Sequence, residues 1–125
     1  MKQISPSEWF LPIFTVSEAN VVEHWTKKKK RHDHQKRWIR IFFRKEKPQV
    51  SLPCKIILTR LSERKLDSDN LPVSMKWIRD AIADQIFPGM AAGMADNDPR
   101  LDWHYDQKIS NEKGVLIKFS ETVLT

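Results

Sequence analysis

The stretch Pro53-Cys-Lys-Ile-Ile-Leu-Thr-Arg-Leu61 runs into Asp67-Ser68-Asp69-Asn70, and then into Leu71, Met75, Ile78, Ile82 and Ile86 at spacings of four, three, four and four. The first part is a short, mainly apolar run bounded by proline, which reads as a buried strand. The last has the period of an amphipathic helix, with Asn70 as its N-cap and Pro72 tolerated in the first turn. Pro88 and Gly89 stop it, and residues 87–99, with Gly89, Gly93 and Pro99, read as a loop. Beyond it, Leu101, Trp103, Tyr105, Gln107 and Ile109 alternate with Asp102, His104, Asp106 and Lys108. Asn111 to Gly114 make a turn before Val115, Ile117 and Phe119, so 101–109 and 114–120 are expected to form an antiparallel hairpin.

Upstream, residues 9–15 read as a short strand that Pro12 confines to a sheet edge. From Val21 to about Lys45 the chain has no Pro or Gly, which permits one long helix capped by Ser17 or Asn20. At about 1.5 Å per residue it reaches roughly 36 Å, about one turn of duplex DNA. Val22, Trp25, Trp38, Ile41 and Phe42 give it an apolar side. The middle, Lys27 to Lys36, is almost wholly polar and is expected to project or bend. The fold class is α+β: a single small domain over 1–125, its mixed or antiparallel sheet packed with two main helices. Residues 20–47 form the basic helical segment and 50–120 carry the chemistry.

The chain has 125 residues and a net charge of +6. Residues 24–47 hold eleven Lys/Arg against Asp33 and Glu46, a local +9, and the remainder carries −3. That asymmetry favours a polyanionic partner, DNA or RNA first; the ordinary alternative is a solvated, lysine-rich helix. Cys54 is the single cysteine, which excludes an internal disulfide and fits a reduced, cytoplasmic setting. No apolar run approaches the roughly 18–20 residues of a membrane span, and Met1 to Trp9 lacks the order of a signal peptide.

Asp67 and Asp69 stand at i and i+2 after an extended segment, so their side chains point the same way with Cα atoms roughly 6.5–7 Å apart. Two carboxylates about 4 Å apart repel by about 4 kcal/mol at an effective dielectric of about 20, a cost that a divalent cation reverses. Asp96 and Asp98, from the following loop, are candidates to complete the partial oxygen shell that Mg²⁺ accepts. Lys76 is placed to meet negative charge at the same mouth. Acidic residues at a helix start also occur for structural reasons, through the helix dipole and turn chemistry.

Together these residues resemble the RusA-like Holliday junction resolvases, small endonucleases of phage and prophage origin. The resemblance rests on Asp67-Ser68-Asp69-Asn70-Leu71, Lys76, Asp80-Ala81-Ile82 and Ala95-Asp96-Asn97-Asp98-Pro99-Arg100 and covers about residues 50–120. The gap from Asn70 to Lys76 is about one helical turn longer than the family pattern, and the second acidic motif is Asp-Asn-Asp rather than Asp-Asp. The resemblance implies a Mg²⁺-dependent (or Mn²⁺-dependent) crossover junction endodeoxyribonuclease acting in DNA recombination and repair. It further implies a homodimer that binds a four-way junction and makes paired nicks. Asp67, Asp69 and Asp96 would hold the metal, Asp98 substituting for Asp96, and Lys76 would assist. Lys27, Lys28, Lys29, Lys30, Arg31, Arg64 and Lys65 would contact phosphates. The other reading is a non-catalytic nucleic-acid-binding or phage assembly protein whose acids only cap and solubilise.

Other candidates carry less. His24, His32, His34 and His104 show no metal-ligand spacing with Cys54, and His32 and His34 are expected to be solvated within the basic run. Cys54 reads as a core residue. Trp103 and Tyr105 read as sheet packing, with base stacking as the alternative. Asp102 and Asp106 read as ordinary exposed acids.

Overall fold

A computed structural model describes residues 1–91 and 93–121. Within them the chain forms β1 (Lys2–Ser5), β2 (Glu8–Leu11), α1 (Trp25–Glu46), β3 (Cys54–Ser62), α2 (Asn70–Ser74), α3 (Lys76–Ile86), β4 (Leu101–Ile109) and β5 (Gly114–Glu121), with a 3₁₀ turn at Ala95–Asn97. The strands make one mixed sheet in the order β1-β2-β5-β3-β4. Cys54, Ile56 and Leu58 of β3 share a face with Ile117 and Phe119 of β5 and with Trp9 and Leu11 of β2. Against that face pack Ile39 and Phe42 of α1, then Met75, Ile78 and Ile82. The opposite face carries Lys55, Asp102, His104 and Lys118. The result is a single small α+β domain of two layers, as the pattern predicts.

The expected hairpin does not form. β4 and β5 each pair with β3, which lies between them: β3 runs parallel to β4 and antiparallel to β5. β3 is the most apolar strand and gains most from neighbours on both sides. Its parallel pairing makes α2 and α3 the crossover of a βαβ unit. The turn after β4 passes over the end of β3, where the Ser110 N–H donates to the Ser62 carbonyl at 2.9 Å.

β2 is not an edge either. It sits between β1 and β5, with β1 outside it, because Pro12 falls just beyond the paired residues and costs the sheet no donor. Gly114 permits the close approach of β2, since a Cβ there would run into the Phe10 ring and the Leu11 carbonyl.

α1 starts later than expected, at Trp25, and its cap is His24, whose Nδ1 accepts from the Thr26 N–H at 3.2 Å. It ends at Glu46 with Lys47 in the left-handed region (φ 45°) and its N–H bonded to Phe43 O; Pro48 then bars continuation. Its polar middle is not wholly solvated, because Arg31, His32 and Gln35 are buried. Arg31 lies between Glu18 and Glu23, bonded to both carboxylates at 2.6–3.1 Å. The segment after β2 thus supplies the acids that neutralise it. The helix read over 70–86 is broken at Met75, whose N–H turns back to Pro72 O. Asn70 is the first helical residue; Asp69 takes the cap position without a side-chain cap bond.

Candidate functional site

α3 presents Lys76, Asp80 and Asp84 four residues apart, hence on one face. Facing them across a cleft of about 700 Å³ are Lys36 and Arg40 of α1, and Asp96 with Asn97 on the 3₁₀ turn. Three carboxylates and three cations therefore border one space.

Asp80 and Asp96 both line this cleft, and the Asp96 carboxyl acts on that of Asp80. Burial first, and then the Asp96 charge, push the Asp80 carboxyl above the usual carboxylate range; the Lys76 ammonium pulls the other way. A raised carboxyl beside a second one is how two acids share a proton, and the same pair offers oxygens to a cation.

Asp96 is held from several directions. Arg79 donates from Nε to Asp96 Oδ2 at 3.0 Å and from Nη2 to the Asp96 carbonyl at 3.1 Å. Its Nη1 bonds Tyr105 Oη at 3.0 Å, and its guanidinium stacks over the Trp103 ring, 5.0 Å from the centroid. The Trp103 indole N–H donates to the same Asp96 carbonyl at 2.9 Å. Trp103 and Tyr105 are thus half-buried sheet residues that also position an acid.

Asp67 and Asp69 are exposed and do not border this cleft. The loop that carries them is tied to the far end of β4: the Leu66 N–H donates to Gln107 Oε1 at 2.9 Å, and Gln107 Nε2 donates to Leu66 O at 2.8 Å. Gln107 and Trp103, the anchors of the two acidic segments, are four residues apart on one strand, about 13 Å. The chain by itself does not group Asp67 and Asp69 with Asp96 around the cleft. Among the described residues no three His, Cys, Asp or Glu side chains are grouped to hold a metal ion. The cause is the parallel crossover, since the chain leaves β3 at one end of the sheet and enters β4 at the other. Asp98 is engaged elsewhere, accepting from the N–H, Nε and Nη2 of Arg100 at 2.8–3.0 Å, which holds its carboxyl down at about 2.

The basic surface is partly as expected. Lys27, Lys28, Lys29 and Lys30 are exposed, as are Arg37, Arg40, Arg44, Arg64 and Lys65; Lys29 is bonded to Asp33 at 2.7 Å. Arg31 is not available to a phosphate, because it is buried with its two glutamates. His32 is not solvated. It stacks on Trp77 with ring centroids 4.4 Å apart and is 3.1 Å from Glu18 Oε1; burial pushes its pKa down. His34 is exposed and Cys54 is buried, as expected.

Two acids of the cleft were missed as a set, Asp80 and Asp84. Their signal was present as Lys76, Asp80 and Asp84 at i, i+4 and i+8, a spacing that aligns charges on a helix. No described helix is long and apolar enough to cross a membrane. Compared with known protein families, curated proteins and solved structures, the chain matches none.

Proposed function

We propose that the chain is a metal-dependent, structure-selective DNA endonuclease of the Holliday junction resolvase type, working as a homodimer. The observation that carries this reading is the half-buried Asp80–Asp96 pair in a cleft rimmed by Lys36, Arg40 and Lys76. Partial burial raises the cost of charging an acid, and perturbed carboxyls in a cleft mark candidate sites. The rim continues into the exposed cations of α1, which would track the phosphates of a duplex. The sequence resemblance to RusA-like resolvases independently marks Asp96 and Lys76.

The donor set suits a hard divalent ion. Asp80 and Asp96 supply carboxylate oxygens and leave room for the waters that Mg²⁺ retains. Bound there, the ion would lower the pKa of a water and offset charge on the scissile phosphate. Arg79 fixes one oxygen of Asp96, Lys76 keeps Asp80 ionisable, and Lys36 with Arg40 would orient the phosphate at the mouth.

A gel assay of four-way junction and linear duplex with and without Mg²⁺ tests the proposal. Asp96→Asn and Asp80→Asn should retain junction binding and lose nicking; equal cleavage by wild type and Asp96→Asn overturns it. The capture of Asp96 by Arg79 favours a second reading, a nucleic-acid-binding protein without catalysis. That reading predicts binding with no Mg²⁺-dependent cutting by the wild type.

A further inference from the structure

Arg31 and Arg60 are buried to the same degree, 8% and 7% exposed, yet only Arg31 has acids. Glu18 and Glu23 hold it and raise its pKa. Arg60 instead donates from Nε to Thr15 Oγ1 at 2.9 Å and from Nη1 to the Arg64 carbonyl at 2.8 Å. Both acceptors are neutral. Burial pushes the Arg60 pKa down, and no carboxylate among the described residues pushes it back. A buried cation without a counter-charge is costly, which is why such groups are usually paired.

The strand register explains where Arg60 sits. Cys54, Ile56 and Leu58 form the inward stripe of β3, and Arg60 continues it at the end of the strand, opposite Val115 of β5. There a pocket of about 200 Å³ opens between residues 13–16, Arg60, Ser62 and the turn residues Lys113 and Gly114. Arg60 Nη2 bonds no described residue, yet it is not sealed in. The buried polar atoms without a partner, among the described residues, are Trp9 Nε1 and Gln35 Oε1. The spare N–H groups of Arg60 therefore open on the pocket. Thr15 Oγ1 accepts from Nε and keeps its own proton to donate. Ser62 adds a second hydroxyl, and the exposed Lys113 a second positive charge. Each polar side chain of the lining can thus donate, and none of them is an acid.

We infer that this pocket binds one small tetrahedral oxyanion of the phosphate class, held by Arg60, Thr15, Ser62 and Lys113. A guanidinium presents parallel N–H groups that match two phosphate oxygens, and the lysine adds a point charge. The anion supplies to Arg60 the counter-charge that Glu18 and Glu23 supply to Arg31. Its source is inorganic phosphate or a backbone phosphate of a nucleic acid lying beside Arg64. The site shares no residue with the Asp80–Asp96 cleft and does not rest on the endonuclease reading.

Isothermal titration calorimetry with inorganic phosphate, at ionic strength held constant with sodium chloride, tests the site. The wild type should bind phosphate saturably, one per chain. Lys113→Gln should weaken that binding about threefold, as the loss of one exposed charge does. Lys113→Glu, which sets a carboxylate at the mouth, should abolish it, as should Arg60→Gln. Circular dichroism checks the fold of each variant; Lys113 lies in an exposed turn, so its variants decide the matter even where Arg60→Gln does not fold. No saturable binding by the wild type, or equal binding by Lys113→Glu, overturns the site and leaves Arg60 as an anchor for Thr15 and the Arg64 carbonyl. Fluorescence anisotropy of a labelled duplex at matched ionic strength separates the two sources. Competition by phosphate in the wild type but not in Lys113→Glu assigns the pocket to a backbone phosphate. Duplex affinity indifferent to phosphate in both assigns it to the free ion, and either result upholds the site.

Discussion

His32 of α1 lies almost flat on Trp77 of α3, the ring planes 29° from parallel, while Lys36 one turn on reaches the same indole at 4.9 Å. The two main helices are therefore joined through an aromatic contact at the rim of the cleft rather than through aliphatic packing alone. A run that reads as Lys-Lys-Lys-Lys-Arg-His-Asp-His-Gln-Lys holds a buried side. Its burial is invisible to hydropathy because every inward residue is polar.

The stack makes stability respond to mild acid. His32 has its pKa pushed below the ordinary value of 6.5, mainly by burial. The unfolded chain thus takes up a proton before the folded one does, and stability rises with pH across that window. Falling pH should cost melting temperature from about pH 6.5 downward, levelling once the folded imidazole also charges. His32→Gln should remove this component, read as the difference between the two melting curves from pH 7.5 to 5. Parallel curves would mean that His32 titrates normally.

Asp80 has the opposite sign. Its carboxyl is raised, so the folded state holds the proton longer and stability is lost as pH rises through the raised value. Asp80→Asn should melt a few degrees higher than wild type at pH 8, and the gain should shrink toward pH 4. Added stability with lost nicking would be the signature of a group kept for chemistry; a lower melting temperature at pH 8 would argue that its charge is structurally required.

Arg31 and the lysines beside it should differ sharply. Arg31→Met leaves Glu18 and Glu23, whose side chains are 7% and 8% exposed, without their cation. Removing one partner of a buried ionic group is costly, so urea unfolding should show a much lower midpoint. Adding Glu18→Gln and Glu23→Gln should recover part of it. Lys29→Ala breaks an exposed i, i+4 pair with Asp33 and should move the midpoint little.

DNA affinity should fall steeply with salt, because bound lysines release counterions. Changing Lys27, Lys28, Lys29 and Lys30 together to Gln should flatten the log–log slope by about 2 to 3, less than four cations would give, since Lys29 is already paired. Fluorescence anisotropy at several salt concentrations measures this. An unchanged slope would place the nucleic acid on another face.

The elements were legible where one period ruled. β3, α3 and β4 follow from Ile56 and Leu58, from Ile78 and Ile82, and from Leu101, Trp103 and Tyr105, whose spacing matches the geometry they adopt. β1 was missed, because Lys2 to Ser5 has no alternation and draws its order from pairing with β2. The acids were recognised individually, but within the described residues they do not form one metal-holding group. Sequence spacing places Asp67 and Asp69 beside each other and says nothing about which end of a crossover Asp96 occupies. Asp80 sat within a recognised motif, yet its importance depends on Asp96 arriving opposite it, a tertiary fact.

The insertion of β3 between β4 and β5 bears on how the chain reaches its native state. Residues 101–121 have the alternation and the tight turn of a local hairpin, and such hairpins close within about 1–10 μs. The native sheet needs those two strands apart, with a segment from some fifty residues upstream threaded between them. A nascent β4–β5 hairpin is thus a kinetic competitor that must open before Ile56 and Leu58 are seated. Mutations that strengthen the turn at Asn111 to Gly114 would slow refolding even where they leave equilibrium stability untouched.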